Sequence, residues 1–301
     1  MAANLLDFET ISNSSADAVQ SAGSITVLVN ARRRMPASGI VYANDLILTA
    51  NHAVEREEDA TILTPDGHTL QASLAGRDPA RDIALLKLQA ALPKTAVPAS
   101  KPARVGQLVL AVARPDDSGL QASLGVIGAI GGPVRTSQGG LLDQYIRTDT
   151  QALPGFSGGP LVCGNGEILG MNTSGLAMGS LITIPAGLLW TAAASLAAHG
   201  HIRRPYLGIR SQNVKLGSAQ QSLLDRSQEN ALLLVGIEED SPAAVAGLMV
   251  GDILVTFNSQ PLKDHDELQL YLKPELAGQP AAVELLRGGQ KLDLTVKLEE
   301  R

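Results

Sequence analysis

Cysteine is almost missing from this chain. The one thiol, Cys163, can form no intramolecular disulfide, and a cysteine-based metal site is excluded with it. Aromatic residues are scarce at 3%, so any core must be filled by Val, Ile, Leu and Ala. An excess of positive charge is absent too. The formal net charge is −6, which argues against a nucleic-acid or polybasic membrane partner. The one dense basic run, Arg32-Arg33-Arg34, lies between two apolar strand-like stretches and reads as a solvated hairpin tip. No stretch reaches the roughly 18 uninterrupted apolar residues that a membrane-spanning helix needs. Residues 1–10 carry Asp7 and Glu9 and have neither the basic start nor the apolar centre of a secretory leader. A native N-terminus of this kind places the protein in the cytoplasm. A leader already removed would place it in the periplasm or elsewhere.

What is present is punctuation. With 301 residues the chain can form two domains with proper cores. Between residues 24 and 163, short apolar segments alternate with Gly, Pro, Asp and Asn: 24–29, 38–42, 46–48, 61–63, 83–88, 108–112, 124–130 and 161–162. Strand-length segments without a helical period predict an all-β sandwich or a pair of barrels. Pro65-Asp66-Gly67 has the chemistry of a hairpin turn. The pattern changes at Pro185, where 186–198 is rich in helix formers and stops at His199-Gly200. Residues 201–205 read as a linker, which divides the chain into 1–202 and 203–301. The second part has strand-like segments at 232–237, 253–257, 283–286 and 292–298, the last two joined through Gly288-Gly289. Helix-like segments at 242–246 and 264–272 complete a small α+β domain.

The motif with the most chemistry is Gly155-Phe156-Ser157-Gly158-Gly159-Pro160. Peptide hydrolysis needs a nucleophile and preorganised donors for the oxyanion, and a serine in a glycine-rich turn supplies both. The backbone N–H groups of Gly155 and Ser157 are the candidate donors. A serine hydroxyl also needs a base to take its proton. Of the five histidines, His68 follows a turn, His199 and His201 flank a helix end, and His265 lies in the second domain. His52, in Thr49-Ala50-Asn51-His52-Ala53-Val54, follows a strand and has small neighbours that leave its ring room to face a cleft. The third group must be a carboxylate that holds the imidazole tautomer. Asp82 stands at the mouth of the apolar strand 83–88, where a charge needs a partner. Asp78 precedes Pro79 and reads as turn chemistry, and Asp149 reads as a brace for the loop around Ser157.

The order His52, Asp82, Ser157 and the segments around them resemble the trypsin-like proteases of the HtrA/Deg group. Further matches are Leu-Gly-Val-Ile-Gly-Ala-Ile-Gly-Gly at 124–132, Tyr-Ile-Arg-Thr-Asp at 145–149, Gly-Met-Asn-Thr at 170–173 and Thr-Ile-Pro at 183–185. Tyr206-Leu207-Gly208-Ile209 resembles the carboxylate-binding loop of a PDZ domain. Ser241-Pro242-Ala243-Ala244, Ala246-Gly247-Leu248 and Gly251-Asp252-Ile253-Leu254 resemble its helix-and-strand signature. The resemblance implies a mainly β fold, a chymotrypsin-like double β-barrel with the triad in its cleft, followed by a small α+β PDZ domain. It implies an ATP-independent serine endopeptidase of protein quality control, acting on unfolded proteins and peptides, with peptide C-termini held at the PDZ domain by Tyr206, Leu207, Gly208 and Ile209. Leu268 and Leu272, one helical turn apart, would line the apolar side of that groove. No cofactor and no metal are implied. A catalytically silent scaffold or holdase on the same fold is the alternative.

Substrate walls are expected from Gln151, Leu153, Pro154, Thr173 and Leu176. Gln151 stands six residues before the nucleophile, where relatives that select basic side chains have an acid, so the P1 preference should be small to medium and apolar. Phe156 stands where the family usually has Asn. It cannot accept an ion pair from a freshly cut N-terminus, so no N-terminal processing is expected, and the packing of the loops near Gly155 and Met178 should set the resting state. Relatives often form trimers through N-terminal aromatic residues, which reduce here to Phe8.

Overall fold

The structure, a computed structural model, describes residues 8–136, 141–176, 181–202, 205–273 and 276–300. It divides into two units, Met1–Ile202 and Arg203–Arg301. Helix α1 (Phe8–Gly23) buries only Ala18, Ala22 and Gly23. Six strands follow: β1 (Thr26–Asn30), β2 (Ala37–Ala43), β3 (Leu46–Ala50), β4 (Ala60–Leu63), β5 (Thr69–Asp78) and β6 (Ile83–Leu88). They close in the order β1-β2-β3-β6-β5-β4. Closure leaves no exposed sheet edge. β1 and β2 are antiparallel neighbours, so the basic run is the loop between them, with Arg33 and Arg34 exposed. Val27, Val29, Ile40, Ile47, Leu48, Ile62, Ile83 and Leu85 fill the interior. Branched aliphatics replace the missing aromatics, as the composition requires.

The second set of strands is β7 (Leu108–Asp116), β8 (Gly119–Gly131), the short β9 (Val134–Arg135) and β10 (Leu141–Leu142), then β11 (Tyr145–Thr148), β12 (Pro160–Val162), β13 (Ile168–Thr173) and β14 (Ile182–Pro185). β9 and β10 pair with each other, and the rest close in the order β11-β14-β13-β12-β7-β8. Helix α2 (Ala186–His199) follows and ends on Gly200 in the left-handed region. Its Leu189, Ala192, Ala193 and Leu196 join the core. Of the sandwich or pair of barrels that the strand punctuation allows, the structure forms two closed six-stranded barrels, as the family resemblance implies, and a helix covers the expected 186–198.

The second unit begins with β15 (Pro205–Tyr206). It continues through β16 (Ile209–Lys215), α3 (Ser218–Gln221), β17 (Asn230–Ile237), α4 (Pro242–Val245), β18 (Ile253–Phe257), β19 (Gln260–Pro261), α5 (His265–Tyr271), β20 (Pro280–Arg287), β21 (Gln290–Lys297) and β22 (Glu299–Glu300). The main sheet runs β16-β17-β18-β20-β21, which leaves β16 on an edge. Asp264 caps α5 by accepting the Glu267 N–H at 2.9 Å. No described helix is long and apolar enough to cross a membrane.

Candidate active site

Two short 3₁₀ turns place the candidate base and carboxylate. β3 and β6 are antiparallel with Ala50 opposite Ile83. The turn Asn51–Ala53 leaves β3 just past Ala50, and the turn Pro79–Arg81 enters β6 just before Ile83, so His52 and Asp82 meet at one end of the same strand pair. Asp82 closes its turn at φ 57°, in the left-handed region. Its carboxylate, almost wholly buried, accepts the His52 backbone N–H on Oδ1 at 2.8 Å and the His52 ring Nδ1–H on Oδ2 at 2.8 Å. Thr173, at the end of β13, donates its hydroxyl to Oδ2 as a third partner. Charge-assisted bonds of this kind hold both the ring orientation and the tautomer with the proton on Nδ1, leaving the Nε2 lone pair available.

Ser157 lies in the loop between β11 and β12. The loop is tied to β13 by Gly158 N–H to Asn172 O and Asn172 N–H to Gly159 O, each 2.8 Å. Just before it, Phe156 N–H donates to Leu153 O at 3.2 Å, closing a turn with Pro154 and Gly155 at its centre. Gly155 has φ 81° and proline cannot take a positive φ, so this is a type II turn. Only glycine takes that position without strain, and a Cβ there would meet Pro115 at 2.4 Å. The Ser157 hydroxyl pairs with Ser174 Oγ at 3.0 Å and accepts the Ser174 N–H at 3.2 Å. Among the described residues these are its hydrogen bonds, and His52 is not a partner.

The expected residues separate into three environments. Gln151, Leu153 and Pro154 are exposed beside the turn, with the Gln151 N–H on Ser123 Oγ at 2.9 Å. Thr173 is fully buried on Asp82, so it serves the carboxylate in place of the expected substrate wall. Leu176 packs into the core instead of lining an open surface. Met178 lies outside the described residues. Asp78 is buried and faces Arg81 at 3.9 Å. Asp149 Oδ1 accepts the Val126 N–H at 2.5 Å, a brace on β8. His68 pairs with exposed Asp66, and His265 with Ser211 in the other unit. Burial pushes the Cys163 thiol up and Sγ donates to Asn165, so it is no rival nucleophile.

Sequence reasoning missed Ser174, Gly175 and the bond made by Thr173. A Cβ on Gly175 would lie 2.6 Å from both Asp82 Oδ2 and His52 Nδ1, so a side chain there would displace the pair. The one local hint was Ser174-Gly175, a small polar residue and a glycine just past the end of buried β13; nothing local marked the bond of Thr173.

Phe156 is fully buried, packed with Val109, Ile127, Ile146, Leu161 and Leu169 inside the second barrel. Phe156→Asn would leave a void and an amide without partners. Truncating a buried Phe costs about 3–5 kcal/mol. A thermal melt of Phe156→Asn should therefore show a clearly lowered midpoint together with altered basal activity. An unchanged melt would contradict this packing role.

A model of the trypsin-like peptidase domain matches residues 37–171, and one of the PDZ domain matches 205–298. The putative serine protease HhoA of Synechocystis sp. is 30% identical over 275 residues, which cover 86% of this chain and 69% of that protein. The chain belongs to the HtrA/Deg family. Another member, a probable periplasmic serine endoprotease DegP-like of Pseudomonas putida, is 34% identical over 268 residues, covering 86% of this chain and 55% of its own. The chain thus spans about half the length of the DegP-like relatives it matches. Among solved HtrA structures, the HtrA-type protease AlgW with decapeptide superposes with a TM-score of 0.78 at 26% identity, covering 95% of this chain and 98% of that one. The expected mainly β fold, with a trypsin-like domain before a PDZ domain, holds for this HtrA/Deg chain.

Proposed function

We propose that this protein is an ATP-independent serine endopeptidase acting on unfolded or PDZ-recognised proteins in quality control. The observation that carries the reading is the buried Asp82 carboxylate bonded to His52 Nδ1, with Ser157 following the Pro154-Gly155 turn. In the reaction, the Ser157 hydroxyl must exchange its Ser174 partner for His52. His52 Nε2 takes the proton as Oγ attacks the scissile carbonyl, and Asp82 stabilises the imidazolium. The N–H groups of Gly155 and Ser157 receive the oxyanion. His52 then hands the proton to the leaving amine, and water releases the acyl group by the same steps. Incubation with an unfolded casein-like substrate without nucleotide should yield peptides. Substrate bound and protected but uncut would favour the holdase reading, which the pairing of Ser157 with Ser174 supports.

Gln151, Leu153 and Pro154 supply no carboxylate for a basic side chain, so a peptide-library profile should be led by Ala, Val or Leu at P1. A profile led by Arg or Lys would contradict the assignment.

In the second unit, β16 offers its free edge to an extended peptide, beside α5. The carbonyls of Leu207 and Gly208 are taken by the N–H groups of Ala243 and Glu238, each 2.9 Å, which turns the loop's acceptors away from an incoming carboxylate. Tyr206 donates its hydroxyl to Glu238. Leu207 and Leu268 are core residues, so Leu207→Glu would test folding as much as binding. A cleaner test changes the ligand. Amidating the C-terminus of a hydrophobic peptide should weaken its affinity roughly tenfold or more, the loss of charge-assisted bonds. Equal affinity of acid and amide in a calorimetric titration would move the site elsewhere. By likeness to relatives named periplasmic, the periplasm is the proposed compartment; the cytoplasmic reading gains no support from them. Exposed Phe8 and Ile11 on α1 are the residues a homotrimer would use. Light scattering would then give three times 31.3 kDa.

A further inference from the structure

Ser38, the second residue of β2, is fully buried and has every polar group engaged with the nucleophile's surroundings. Its hydroxyl donates to the Gly155 carbonyl at 2.8 Å and accepts the Arg114 N–H from β7 at 2.9 Å. Its backbone N–H donates to the Ser157 carbonyl at 3.0 Å, and its own carbonyl accepts the Thr49 hydroxyl at 2.8 Å. One residue of the first barrel therefore holds the carbonyls on either side of the Phe156-Ser157 pair, and through Arg114 reaches the second barrel.

We propose that Ser38 is the positioning residue of the oxyanion turn, a role that rests on the endopeptidase reading of Ser157. An oxyanion is stabilised only where donors converge and acceptors are kept away. The Gly155 N–H shares its peptide plane with the Pro154 carbonyl and the Ser157 N–H with the Phe156 carbonyl. Their convergence therefore depends on how the next peptide planes are held, and Ser38 binds the Gly155 and Ser157 carbonyls of those planes. The turn needs such an anchor because glycine gives Gly155 access to many backbone conformations at little cost. Deleting the hydroxyl leaves the buried Gly155 carbonyl without its donor and frees the peptide that follows it. The groups that touch substrate, Ser157 and His52, are not altered. The loss should therefore fall on transition-state stabilisation and not on ground-state binding.

The test uses the full chain with Ser38→Ala, Ser38→Cys and, as a control, Thr64→Val. Thr64 is a buried hydroxyl in the hairpin between β4 and β5, outside the site. Active sites are titrated with a fluorophosphonate, so that rates refer to folded enzyme, and affinity for a peptide boronic acid reports the tetrahedral adduct. Loss of a direct oxyanion donor costs about 10²–10³ in kcat. Loss of its anchor should cost about ten- to hundredfold, with KM within about threefold and boronate affinity weakened in step with kcat/KM. The cysteine, a weaker donor of similar size, should fall between wild type and alanine, and Thr64→Val should match wild type per active site. An active wild type with Ser38→Ala within twofold in kcat, or a cysteine variant outside that order, overturns the proposal alone. A wild type that neither turns over nor reacts overturns the endopeptidase reading, and the role of Ser38 with it.

Discussion

Ser157→Ala should reduce kcat on an unfolded substrate by about 10⁶, with folding unchanged. In a well-studied serine protease, removing the nucleophile alone costs about as much as removing the whole triad, because base and carboxylate have nothing left to activate. The substitution is mild for the fold. Ser157 is buried, and among the described residues its hydroxyl bonds to Ser174 alone. A melt matching wild type together with complete loss of turnover is the expected pair of results. Activity above a few per cent would place the nucleophile elsewhere.

Asp82→Asn should lower kcat by roughly 10⁴, the scale found when this substitution is made in another triad. The substitution should disturb the fold little. Asp82 sits at φ 57°, and Asn tolerates the left-handed region as well as Asp does. The amide oxygen can still accept the His52 backbone N–H. Its NH₂ then faces His52 Nδ1, which must turn acceptor, so the ring proton moves to Nε2 and the base is lost. The Thr173 hydroxyl can rotate to accept in place of donating. The variant should therefore keep its melt, lose its rate and still bind substrate. A rate loss below tenfold would mean that Asp82 does not set the tautomer.

Much of this was legible in the sequence, for identifiable reasons. Strands such as β6 are continuous apolar runs between turn residues, and their type follows from composition. α2 carries helix formers and a basic-then-glycine stop, and it formed where expected. α1 was not legible. Its Thr, Ser and Asn residues have weak helix propensity, and its three buried residues leave too thin an apolar stripe to read. His52, Asp82 and Ser157 could be singled out as candidates because each role needs a particular side-chain type in a particular local setting. Thr173 and Ser38 were hidden for the opposite reason. Each is a small polar residue in a strand, and its importance comes only from partners 91 and 117 positions away. Leu176 misled because an apolar residue near a site can as readily be core as wall. No local pattern separates these cases, since long-range register decides them.

The central claim is that His52 and Asp82 make Ser157 an activated nucleophile. Mass-spectrometric mapping of a fluorophosphonate adduct on the intact protein tests it most directly. The account predicts one adduct per chain, on Ser157, formed rapidly in wild type, greatly slowed in Asp82→Asn and absent in Ser157→Ala. An adduct on any other residue, or a wild type that stays unlabelled while folded, would contradict it.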